Sequence, residues 1–239
     1  MVREKIARRP EYREVIYSEK HWRLLWSLRE EAVRIIEILR KAGLEACVHG
    51  SIARGDVWSK SDIDIIILYT VPSYIVEYTL ESHRINIYSK YIVVATPTST
   101  PKAYLVLDEE ERKTVSFPLF KLKPREYEFY KFGGLLDYSG LIQKKRVPGV
   151  NKKLILIEPT PTGHRESPVM GYESIVASKL NISIETVEER VRVLSRRDEI
   201  GRTGVFVKYE LSPYETFEEA LSKIIRENPL VKRSLQRNR

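Results

Sequence analysis

The chain has a single cysteine, Cys47, in 239 residues. No intramolecular disulfide can form, and no multi-cysteine zinc site can be built from one chain, so a reducing cytoplasmic setting is the expectation. No apolar run approaches the roughly 18 to 20 residues needed to cross a bilayer. The start, with Glu4, Arg8, Arg9 and Pro10, lacks the apolar centre of a signal peptide, which points to a soluble protein with no membrane partner. Glutamine occurs only at 143 and 236, a scarcity of thermolabile amides that matches proteins of thermophiles. Internal repeats and low-complexity tracts are absent from the sequence.

What is present describes a chain that folds. Hydrophobic residues make up 42% and charged residues 31%, enough apolar surface to offset the entropy of ordering. The formal charge of +8 favours polyanionic partners, because each cation that neutralises a phosphate releases condensed counterions. Part of the excess sits at the ends, in Arg3, Lys5, Arg8, Arg9 and Arg13 and in Lys232, Arg233, Arg237 and Arg239.

Over 21–41, Leu25, Leu28, Ala32, Ile35, Ile36 and Leu39 recur at helical spacing, with Arg29, Glu30, Arg34 and Glu37 read as surface positions. Gly43 ends that amphipathic helix and a short strand over 46–49 follows. Ile65, Ile66, Ile67 and Leu68 predict a strand covered on both faces. A helix is expected between 73 and 90, then strands over 91–95, 103–107, 114–122, 127–132 and 154–157, with 109–113 as the polar turn of a hairpin.

Chemistry concentrates in GSIARGDVWSKSDID, from Gly50 to Asp64. Gly50 lets the backbone approach a phosphate with no side chain in the way. Ser51 offers a hydroxyl and a backbone N–H at a helix start, where anions are favoured. Side chains alternate along a strand, so Asp62 and Asp64 share one face while Ile63 and Ile65 turn to the other. Two carboxylates so placed repel each other unless cations lie between them, and oxygen-only ligands beside a phosphate site suit Mg²⁺.

This stretch resembles the signature of the polymerase-β-like nucleotidyltransferase superfamily, in which Gly-Ser is followed about ten residues later by Asp-x-Asp. Arg54 and Gly55 match the frequent Arg-Gly of its smaller members, and Ser61 the residue before the first aspartate. The resemblance covers residues from about 25 to about 70. It implies that Gly50 and Ser51 hold the triphosphate of an NTP, that Asp62 and Asp64 are catalytic ligands of Mg²⁺, two ions being usual, and that Arg54 meets phosphate or braces the turn. Many members add a third carboxylate from a later strand. Glu128, in the alternating run REYEFYKF, is the first candidate, with Glu126 and Asp108 as alternatives. His49, Cys47, His164 and Arg165 are read as structural or solvated.

From Gly171 the pattern is helix, short turn, helix, strand: YESIVASKL, NIS, IETVEERVRVLSRR, then GVFVKYEL. This resembles a winged helix-turn-helix with Ser183 as N-cap, and Arg190, Arg192, Arg196, Arg197 and Arg202 on or just beyond its second helix as candidates for nucleic-acid contact. Glu185, Glu188 and Glu189 place negative charge in the turns where base contacts are usually made. The expected architecture is α/β (α+β): a nucleotidyltransferase domain over 1–160, with a mixed sheet flanked by helices, and a smaller winged-helix-like domain over 161–239. The expected activity moves an NMP from an NTP to an acceptor hydroxyl on RNA such as tRNA, on a protein or on a small molecule. The alternative is a nucleic-acid-binding regulator whose transferase domain has lost catalysis.

Overall fold

The computed structural model describes residues 6–7, 11–201 and 204–236. Along the chain run β1 (Arg13–Ile16), α1 (Glu19–Lys41), β2 (Cys47–His49), α2 (Ser51–Arg54), β3 (Ile63–Ile66) and α3 (Ser73–Ser82). Then come β4 (Ser89–Val94), β5 (Lys102–Val106), β6 (Lys113–Pro118), α4 (Pro124–Gly133), β7 (Leu135–Asp137) and α5 (Tyr138–Ile142). The remainder holds β8 (Gly149–Val150), β9 (Ile155–Thr160), β10 (Gly163–Pro168), α6 (Glu173–Leu180), α7 (Ile184–Ile200), β11 (Val207–Glu210), α8 (Phe217–Glu227) and α9 (Pro229–Gln236). The mixed α and β architecture expected from the sequence is present. Among the described residues no helix is long and apolar enough to cross a membrane.

Two compact units emerge, one from Met1–Val33, Val48–Asp62 and Pro124–Thr203, the other from Arg34–Cys47, Ile63–Lys123 and Gly204–Arg239. Each draws on chain from both sides of residue 160.

In the second unit the strands lie in the order β11-β4-β5-β6-β3. β3 and β6 are parallel and the other pairs antiparallel. A parallel pair needs a long crossover, which α3 and the β4–β5 pair supply. Alternation sorts the faces. Ile63, Ile65, Val115, Phe117, Ala103, Leu105, Ile92 and Val94 are buried on one, where Phe117 meets Phe217 of α8 edge-on and Lys90 pairs with Glu77 of α3. The opposite face is more polar and carries Asp64, Thr114, Ser116, Tyr104 and Tyr91.

The first unit contains an antiparallel sheet, β1-β10-β9-β8, and a core of Phe132, Val150, Leu154, Leu156, Val169, Val176, Ala177, Leu180 and Val187. The last four come from the helical region after Gly171. The helix–turn–helix is there: α6 ends at Asn181, whose φ of 50° is the left-handed conformation asparagine tolerates, and α7 follows. The strand expected as its wing, β11, is instead hydrogen-bonded to β4.

Some elements differ from expectation. Residues 127–132 are helical, within α4, and not a strand. Pro124 opens that helix and Gly134, with φ 92°, lies just past its end, so start and stop signals outweigh the aromatic alternation between them. β1 and β10 were not anticipated. β10 carries His164, buried and hydrogen-bonded through Nδ1 to the Tyr17 hydroxyl at 2.7 Å, in a strand where a solvated loop was expected.

Candidate functional site

Within the first unit, β2 delivers the chain to Gly50, whose φ of 81° and ψ of −141° no L-residue adopts without strain. Its N–H donates to the Gly134 carbonyl at 2.9 Å and its carbonyl accepts from the Arg54 N–H at 3.1 Å, closing the single turn of α2. Ser51 opens that turn. Its Oγ donates to Ser61 Oγ at 3.2 Å, and Ser61 Oγ accepts from the Trp58 N–H at 3.0 Å, so the loop ahead of Asp62 is tied back to the Gly-Ser turn.

Arg54 is built into the turn. It is 5% exposed, its Nε and Nη2 hold the two oxygens of Asp56 at 2.9 and 3.0 Å, and its Nη1 donates to the Gly133 carbonyl. A second arginine does comparable work from α1. Arg29 is 3% exposed and donates to the carbonyls of Ile52, Ala53 and Lys145, at 2.7 to 3.1 Å, where the end of α2 leaves carbonyls without helical partners. Burial, with Arg146 nearby, lowers its pKa to about 10, which leaves it charged at neutral pH. Reading Arg29 as a surface position was incorrect. It falls four residues after Leu25 and three before Ala32, on the buried stripe of α1, and that register was the signal.

His49 is packed rather than exposed to a ligand. Its ring lies 5.7 Å from Phe129 and 5.4 Å from Tyr130, against Gly133.

In the second unit, Asp64 is the half-buried member of a strand whose other positions, Ile63, Ile65 and Ile66, are buried. It accepts a hydrogen bond from Thr114 Oγ1 of β6 at 3.1 Å. Further along the same face Tyr104 and Tyr91 stack with ring centres 5.1 Å apart. Burial, followed by the negative charge of Asp64, pushes the Tyr104 hydroxyl well above its ordinary range, so it stays protonated. Asp62 directly precedes β3 and Asp64 is that strand's second residue.

The third-carboxylate candidates have other partners. Glu128 lies on α4 and accepts from the Ser183 N–H at 3.2 Å and from the hydroxyls of Ser183 and Thr186. It caps the start of α7 from a neighbouring helix, where a negative charge meets the positive end of the helix dipole. Ser183, the expected N-cap, makes no side-chain bond to the backbone of α7; its hydroxyl meets Glu128 and Thr186 Oγ1. Asp108 accepts from the N–H groups of Arg112 and Lys113 at 2.8 and 3.0 Å and shapes the β5–β6 hairpin. Glu126 also sits on α4. Among the described residues no group of three or more His, Cys, Asp or Glu is gathered as a metal site.

Burial alone would raise the Glu128 carboxyl, but its bonds from Ser183 and Thr186 outweigh that and hold it below the usual range. A depressed carboxyl contributes stability above its unfolded value and loses it as pH falls through the folded one. Glu128→Ala is therefore expected to cost about 1 kcal/mol at neutral pH. Urea unfolding should show the difference from wild type shrinking once the carboxyl is protonated. A catalytic Glu128 would show the opposite signature, loss of activity at unchanged stability.

Of the arginines considered for nucleic acid, Arg192, Arg196 and Arg197 are exposed on α7. Arg190 is turned inward, its guanidinium 4.8 Å from the Phe129 ring centre, with burial lowering its pKa to about 10. Arg202 lies outside the described residues.

Residues 30–128 match the family model described as a nucleotidyltransferase domain. Searches of the curated proteins and of the solved structures gave no significant match. The matched range holds Gly50, Ser51, Arg54, Asp62 and Asp64. Over residues 30–128 the chain is thus similar to a nucleotidyltransferase domain, in keeping with the polymerase-β-like superfamily that its Gly-Ser and Asp-x-Asp motif resembles.

Proposed function

We propose that the protein transfers an NMP from an NTP to an acceptor hydroxyl, with release of pyrophosphate, and that Gly50, Ser51, Asp62 and Asp64 carry the reaction. The observation that bears most weight is the construction of the motif: a glycine turn held at φ 81° and a following serine, fifteen residues of chain that end on an aspartate oriented by a buried hydroxyl. The open Gly50 turn, with nothing within 4 Å of where a Cβ would stand, admits phosphate oxygens to backbone N–H groups.

The donor set fits Mg²⁺. That ion commonly takes one or two carboxylates and fills its other positions with water and substrate phosphates, which suits two aspartates and no larger acidic cluster among the described residues. Asp62 and Asp64 would hold it, two ions being the arrangement the reaction favours. When bound, such ions neutralise phosphate charge and make the acceptor hydroxyl easier to deprotonate. The chain's own residues position: the Ser51 hydroxyl and N–H would meet the triphosphate at the turn that Gly50 leaves open, and β3 aims the Asp64 carboxylate, with Asp62 just ahead of that strand. Arg54 and Arg29 stay behind the turn and keep its shape.

The net charge of +8 and the exposed Arg192, Arg196 and Arg197 support an RNA acceptor, tRNA included, ahead of a protein or a small molecule. The test is incubation with each α-labelled NTP, Mg²⁺ and pools of RNA or protein. Label should pass to one pool for at least one NTP, and chelation of the divalent ion should stop it. RNA binding without transfer of any label would instead support a regulator with a non-catalytic transferase domain.

A further inference from the structure

Strand β6 reads KTVSFP, and its alternation is unusually sharp in chemistry. Val115 and Phe117, 0% and 1% exposed, fill the core, whereas Thr114 and Ser116 put hydroxyls on the other face at 7% and 4%. Buried hydroxyls in a strand that could have used valine need partners. Thr114 stands level with Asp64 across the parallel β3–β6 pair and with Val106 across the antiparallel β5–β6 pair. Val106 is 1% exposed and offers no polar side-chain atom, so the row leaves the Asp64 carboxylate as the acceptor for Thr114 Oγ1, at 3.1 Å.

Two properties make threonine suited to this place. Its β-branch restricts χ1, which fixes the direction of the hydroxyl. It is also neutral: a lysine or arginine beside Asp64 would cancel the charge that attracts a cation, whereas a hydroxyl orients the carboxylate and leaves that charge intact.

We propose that Thr114 is a positioning residue that holds Asp64 in the orientation in which its carboxylate meets the divalent ion. This rests on the transferase reading of Asp64, and the two can fail separately.

The experiment uses the full chain with Mn²⁺ as the probe, its binding followed by electron paramagnetic resonance in the presence of NTP, alongside transfer rates and thermal unfolding. Thr114→Val keeps the shape and removes the hydroxyl, while Thr114→Ala removes it and leaves room for water. Each folded variant is expected to bind Mn²⁺ about tenfold more weakly, the size of effect typical of residues that orient metal ligands. Transfer should fall in parallel, with recovery on added metal, and Thr114→Ser should restore both. A purely structural Thr114 would lower the melting midpoint without changing Mn²⁺ affinity, and that result overturns the proposal. Asp64→Asn is the control. If it loses Mn²⁺ binding while both Thr114 variants bind like wild type, positioning is refuted and the site stands; if it binds Mn²⁺ and transfers label normally, the site itself is refuted and the positioning role with it.

Discussion

Asp64→Asn is expected to lower nucleotidyl transfer by at least about 10³-fold, because several kcal/mol of charge stabilisation at the transferring phosphoryl group depend on the ion that carboxylate would hold. The substitution is nearly isosteric. The asparagine carbonyl can still accept from Thr114 Oγ1, so the β3–β6 pairing and the burial of Ile63 and Ile65 around it have no reason to change. What disappears is the negative charge. Asp62→Asn removes the neighbouring charge and should act in the same direction. Single-turnover transfer at saturating NTP, with thermal unfolding as the control for folding, separates chemistry from stability. Activity within a few-fold of wild type for either variant contradicts its assignment.

The features most legible in the sequence were those fixed by short-range rules. The helix over 21–41 followed from apolar spacing, and α1 spans Glu19–Lys41. The hairpin turn at 109–113 followed from its polar run, and β5 and β6 flank it. The helix pair around Asn181 followed from a short polar break between two periodic segments. Residues whose role depends on distant chain escaped. Nothing local tells that Glu128 will meet Ser183, 55 positions on, or that Arg29 will meet carbonyls at 52, 53 and 145. The α4 error had a local remedy, since Pro124 and Gly134 bracket the segment, but alternating aromatics dominated the reading. The wing failed for another reason. A β-strand pattern after a helix–turn–helix does not specify its partner, and β11 pairs with β4, more than a hundred residues earlier in the chain.

Arg54→Met is expected to destabilise the first unit by about 3 to 5 kcal/mol, the usual cost of stranding one member of a buried ion pair. Two groups lose their partner together. Asp56, whose side chain is 14% exposed, keeps its charge without the guanidinium, and the Gly133 carbonyl loses its donor. The arginine stem also fills space that glycines make available: a Cβ on Gly134 would stand 2.7 Å from Arg54 Cγ, and one on Gly149 2.9 Å from Cδ. Arg54→Lys supplies a charge but not the fork that reaches both oxygens of Asp56 and the carbonyl, so only part of the loss should return. Urea denaturation of Arg54→Met, Asp56→Leu and the double variant measures the pair directly. The double variant should be more stable than Arg54→Met alone, because no buried charge is then left over. If Arg54 served phosphate instead, Arg54→Lys would raise the KM for NTP at unchanged stability, and the brace would be excluded.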